Sequence, residues 1–187
     1  MKRAIAAFMV AALTAGCTSP IVTAYRLTSE PGPSEHVAPL TISVRRIDIP
    51  GYLDQNNIAK PVGRFEFGSF PNDVWAGALP DMLQATMVED LAQRLNGATV
   101  IDSDGAIEMP SDLQVEINVQ RFDPSLSDVQ LTMQVALKAG PNHNLLRVQT
   151  INRTLPSGTT ASDIVAAMSA LWASAADQIA ASVAQVR

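Results

Sequence analysis

The chain carries one cysteine, Cys17, and two histidines, His36 and His143, in 187 residues. A single thiol excludes an intramolecular disulfide and any cysteine-based metal cluster. His36 falls in a Pro-rich loop and His143 in a strand-connecting turn, the ordinary places for solvated histidines. Charge is also sparse: charged residues make up 17% of the chain and the formal net charge is −5. An acidic chain lacks the basic surface that nucleic acid requires and does not adhere electrostatically to anionic lipid. No HExxH, Walker loop, GxSxG elbow or GxGxxG string occurs. Asp102 and Asp104 imitate the start of a calcium loop, but its third acid and its twelfth-position Glu are missing, so the segment reads as a turn. Glu89 and Asp90 diverge by about 100° on a helix and cannot pair as acid and base. The expectation is a protein without catalytic residues, cofactor or metal.

What is present begins with a leader. Lys2 and Arg3 precede an apolar run, Ala4 to Leu13, of about ten residues, the length of a signal-peptide core and too short to span a bilayer. The string Leu13-Thr14-Ala15-Gly16-Cys17 looks like a lipobox, with Thr14 where leucine is usual. A signal peptide over residues 1–16, a lipidated tether over 17–24 and a single domain over 25–187 are therefore expected, with Cys17 as the lipidation site. A catalytic thiol would sit in a folded pocket beside a base, and Cys17 lies ahead of any foldable segment. Burial of acyl chains contributes about 0.8 kcal/mol per CH₂, and stable anchoring takes more than one chain. Loss of Lys2 and Arg3 with the leader moves the formal charge from −5 to −7.

Along the rest of the chain, Tyr25–Leu27 reads as a short edge strand and Thr28–Pro39 as a loop. Leu40–Ile49 reads as a strand with a bulge near Arg45–Arg46. Tyr52–Lys60 reads as irregular or a single helical turn, and Val62–Phe67 as a short strand. A helix is predicted from Asn72 or Asp73 to about Asn96, with Pro80 kinking it or splitting off a first turn, and with Gly97 ending it. Thr99–Ile101 is a short strand. Leu113–Gln120 and Val129–Lys138 alternate apolar and polar residues, so each is a strand with one wet face. Leu145–Thr154 is a further strand, and Thr160–Asp163 forms a capping box that opens a helix to about Val186. The order implies an α+β fold, a two-layer sandwich of an antiparallel sheet with two long helices on one face. Trp75 and Trp172 fall near apolar helix stripes, where core packing competes with a partner hot spot. The Tyr52-Leu53 pair follows a turn, so Tyr52, Leu53 and Trp75 are the candidate partner-binding residues.

Several strings together resemble a known family. They are Tyr25-Arg-Leu27, Leu40–Ile49 followed by Pro50-Gly-Tyr-Leu-Asp54, Trp75 opening a long helix, Leu113–Asp123, and a last helix beginning Asp163-Ile-Val-Ala-Ala-Met-Ser169. They look like the PqiC (YmbA) group, the ABC-type transport auxiliary lipoproteins. The family usually has a basic residue after Tyr-Leu-Asp and an aromatic-rich stretch leading to an Arg-Trp pair; Gln55 and Val74-Trp75 stand here. The resemblance implies a fold like the amino-terminal domain of TolB. It also implies a lipoprotein that accompanies an MCE-domain protein and, through it, an inner-membrane transporter, with a ring-shaped homo-oligomer as the assembled form. Thr18 after the cysteine is not the aspartate that retains lipoproteins in the inner membrane, so a periplasm-facing outer-membrane location is favoured. An envelope-assembly lipoprotein, TolB-like or pilotin-like and without a role in lipid transport, is the alternative.

Overall fold

The computed structural model describes residues 20–63, 65–140 and 142–186. The leader and Cys17 lie outside them. Ten elements follow in chain order: β1 (Thr23–Tyr25), β2 (Glu35–Val44), β3 (Asn57–Pro61), β4 (Phe67–Trp75), α1 (Leu79–Arg94), β5 (Leu95–Asp102), β6 (Leu113–Pro124), β7 (Asp128–Ala139), β8 (Asn144–Pro156) and α2 (Ala161–Gln185). They form an α+β fold with a five-stranded sheet, ordered β5-β2-β6-β7-β8, and a three-stranded sheet, ordered β1-β4-β3.

The large sheet is mixed rather than wholly antiparallel. β2 runs parallel to both β5 and β6, whereas β6-β7 and β7-β8 are antiparallel. Parallel neighbours need a crossover, and the segment containing α1 supplies it between β2 and β5. Leu113, Val115, Ile117 and Val119 of β6, with Val129, Leu131, Met133, Val135 and Leu137 of β7, are buried. Both helices cover this face. The alternation that predicted β6 and β7 is thus the signature of a sheet covered on one side.

Helix α1 starts later than predicted, because Asn72–Trp75 belong to β4. Pro80 occupies the first turn, where its missing N–H costs nothing, so it opens the helix instead of kinking it. Leu79, Leu83, Met87 and Leu91, four residues apart, form the buried stripe. The helix ends at Arg94, and Gly97 lies inside β5, not at a helix cap. Its φ is +108°, and a side chain there would collide with the Val37 carbonyl of β2. This close approach coincides with the register shift between His36 and Leu40.

Helix α2 carries the predicted capping box: the Thr160 hydroxyl accepts from the Asp163 amide at 3.1 Å, and the Asp163 carboxylate accepts from the Thr160 amide at 3.3 Å. It is long and apolar enough to cross a bilayer, but 67% of its most apolar window is buried within the fold. Buried Ala167, Ala175, Ala176 and Ala180 let it lie close against its neighbours. Trp172, fully buried, stacks on Phe122 of β6 at 5.9 Å and donates its indole N–H to the Leu83 carbonyl of α1 at 3.0 Å. One side chain therefore joins sheet and both helices, which settles Trp172 as core.

Candidate partner-binding surface

The small sheet and the Pro50–Gly51 turn build the most distinctive surface. The Leu53 amide donates to the Pro50 carbonyl at 2.9 Å, closing the turn. Its tightness drives Leu53 inward, 3% exposed, and leaves Tyr52 outward, 42% exposed. Trp75, at the end of β4, is also buried. Leu53 and Trp75 line an apolar seam with Ile58, Leu79, Phe122 and Ile164, so they hold the small sheet against the core. Of the three predicted partner-binding residues, Tyr52 alone presents surface.

Tyr52 stacks on Phe67 of β4 at 5.5 Å, with an interplanar angle of 19°. Its hydroxyl donates to Asp123 at the end of β6. Arg121 donates to the other Asp123 oxygen at 2.8 Å. Burial, followed by the Asp123 hydrogen bond and the Asp123 charge, pushes the Tyr52 phenol well above the usual tyrosine range. Tyr52 is therefore a neutral, oriented donor at physiological pH. Beside this shelf lies a groove of about 350 Å³ lined by Pro61, Gly63, Phe67, Arg121, Asp123 and Leu126.

The segment between β3 and β4 carries further exposed apolar residues. The sequence pattern there predicts a strand over Val62–Phe67, but β3 ends at Pro61, the Val62 and Gly63 amides donate to the Glu66 carbonyl, and Phe67 begins β4. Val62, Phe65 and Phe67 are 57%, 85% and 48% exposed. Sequence reasoning missed them because alternating apolar residues around Gly63 mimic a strand. The signal available was the β-turn chemistry of glycine within that run.

The outer face of the large sheet is the predicted wet face. A depression of about 390 Å³ there is bordered by Arg45, Arg46, Glu116, Asn118, Gln134 and Val148. Glu116 pairs with Lys138 at 2.7 Å and with Arg45 at 3.7 Å. These groups can hydrogen-bond a partner, but no nucleophile stands beside a base. Among the described residues no group of three His, Cys, Asp or Glu could hold a metal. His36 is exposed on β2, and His143 is in a turn with φ of 51°.

A buried ionic cluster also escaped the sequence reading, which considered Asp90 only beside Glu89. Asp90 and Arg94 of α1 are 0% and 1% exposed. Arg94 donates to Asp90 Oδ1 at 3.1 Å and to Asp177 Oδ1 of α2 at 2.5 Å, and also to the carbonyls of Glu30 and Ala173 at 3.1 and 3.3 Å. Asp90 Oδ1 accepts from the Ser29 hydroxyl at 2.7 Å and from the Glu30 amide at 3.3 Å. Gly32 closes over the guanidinium so tightly that any Cβ would collide with it. The strap between β1 and β2 is thereby pinned across both helices. Burial pushes the Asp90 carboxyl up despite these donors and the Arg94 charge.

A family model described as the ABC-type transport auxiliary lipoprotein component matches residues 24–180. No curated protein matches the sequence. Among solved structures, that of an uncharacterized protein aligns with a TM-score of 0.74 at 18% identity, covering 88% of this chain and 99% of the other. Protein XCC0632 from Xanthomonas campestris aligns with a TM-score of 0.66 at 17% identity, covering 88% and 96%. At those identities the two structures establish a shared fold.

Proposed function

Because the chain belongs to the family of ABC-type transport auxiliary lipoproteins, we propose that it is the accessory lipoprotein of an ABC-linked lipid transport system. In this reading Cys17 carries the acyl anchor and holds the domain on the periplasmic side of the outer membrane. The domain binds and positions a periplasm-spanning MCE-domain protein, and through it an inner-membrane transporter. A ring of identical copies would match the symmetry of a tubular partner.

The observation that carries the reading is the oriented aromatic shelf of Tyr52 and Phe67 beside Asp123 and Arg121. Aromatic rings with fixed polar handles suit recognition, and no acid–base pair accompanies them. The role is binding, not turnover.

The test is co-purification of the full-length acylated chain in mild detergent. An MCE-domain protein should be recovered with it. Recovery of the chain with no such partner would overturn the transport role. Loss of an assembled envelope complex from a deletion strain, with lipid traffic intact, would favour an assembly role instead.

A further inference from the structure

Single exposed apolar residues are ordinary, but a cluster at one end of a domain is not. Val62, Phe65 and Phe67 are exposed in or beside the β3–β4 connection, and Leu126, 67% exposed in the β6–β7 turn, borders the groove that Gly63 and Phe67 also line. Ile21 and Val22, ahead of β1, are exposed as well.

Strand register fixes where this cluster lies relative to Cys17. Ala24 pairs with Val74 in parallel, and Val74 pairs with Asn57 in antiparallel. Tracing β1 backwards and β3 forwards therefore leads in the same direction. From that shared row, Gly63 lies six residues along the hairpin, about 20 Å at strand rise. Cys17 lies seven residues back from Ala24, a reach of at most about 25 Å. A lipid carried on Cys17 can therefore reach the level of the hairpin tip.

We infer that this tip is a bilayer-contacting surface: Val62, Phe65 and Leu126 enter the interfacial layer of the membrane that holds the lipid anchor. The inference rests on the proposed acylation of Cys17. Aromatic and aliphatic side chains favour that layer, where an apolar body meets lipid near water. The acids beneath the tip are paired for such an approach. Asp123 is held by Tyr52 and Arg121. Asp128 is bound by Gln130 at 3.0 Å and by Ser125 at 2.9 Å, and these bonds hold its carboxyl below the usual range. Glu66 in the turn marks the depth limit, since a carboxylate must remain hydrated.

With Cys17 acylated, any added cysteine is the only free thiol. Full-length Phe65→Cys and Leu126→Cys chains would each be labelled with an environment-sensitive fluorophore and placed in phosphatidylethanolamine–phosphatidylglycerol vesicles. Val148→Cys on the outer sheet face is the control. Lipids brominated on their acyl chains should quench the first two labels about twofold or more and leave the third unchanged. Iodide in the water should show the reverse order. Labels at 65 and 126 that iodide reaches as freely as the control, and bromine does not, would overturn the inference. Shielding from both quenchers would also overturn it, in favour of a protein contact. Mass spectrometry of the same sample separates the two readings. An unacylated Cys17 removes anchor and inference together, whereas an acylated chain with a wet tip removes only the inference.

Discussion

The Tyr52 hydroxyl does two things at once: it satisfies Asp123 and it keeps the ring flat on Phe67. Tyr52→Phe retains the stack and loses the charge-assisted hydrogen bond, so stability should fall by about 1–2 kcal/mol, toward the low end because the site is half open. Denaturant unfolding at pH 7 measures this. The phenol's raised pKa also fixes a pH dependence. The protonated hydroxyl is the form the fold binds, so its contribution is complete below the ordinary tyrosine value and disappears as pH climbs through the folded-state value. Tyr52→Phe should flatten that alkaline loss. Tyr25 is pushed the same way, by burial and then by Asp73, so the ultraviolet titration of the folded chain should lie at higher pH than that of the unfolded chain.

Among the elements, β5 depends on a single backbone position. Gly97 has φ of +108°, in the region L side chains avoid, and it abuts the Val37 carbonyl. Gly97→Ala should cost about 1–3 kcal/mol and selectively loosen the β2–β5 ladder, which amide hydrogen exchange would resolve. The same residue shows where sequence patterns mislead. A glycine after an apolar helix stripe reads as a cap, but here the strand begins before it. Val74, Trp75, Ala78 and Leu79 keep helical spacing although the first two end a strand, because β4 buries Trp75 at the seam where α1 begins. By contrast β6, β7 and α2 were legible: one wet face gives strict alternation, and Thr160 with Asp163 announces a helix start. The small sheet was legible only in part: the edge strand at Tyr25 could be read, but its pairing of Thr23 with Asp73 joins segments distant in sequence. In the candidate site, Tyr52 could be read from its turn. The inward course of Leu53 and the exposure of Phe65 depended on packing that no local pattern encodes.

Across the whole molecule, Arg94 links three distant segments: the strap after β1, helix α1 and helix α2. Arg94→Met should lower stability by about 3–5 kcal/mol, since removing one partner strands buried carboxylate. The deficit should shrink at acid pH. Burial already raises the Asp90 carboxyl, so stability is retained where that group holds its proton and declines as pH rises through its folded value. Denaturant titrations at pH 5 and pH 8 compare the two conditions, and limited proteolysis of residues 28–34 reports release of the strap.

The placing of β2 has a consequence for biogenesis. Both of its hydrogen-bonding neighbours lie downstream: Leu40 waits for Ala98, and Ile42 for Leu113. A polypeptide threaded amino-end first through a translocation channel would therefore deliver this apolar strand with both rails vacant, well before either mate emerges. Non-local parallel pairing is slow to form, and open rails invite aggregation meanwhile. Shielding this strand until the β6 segment arrives would favour folding over aggregation.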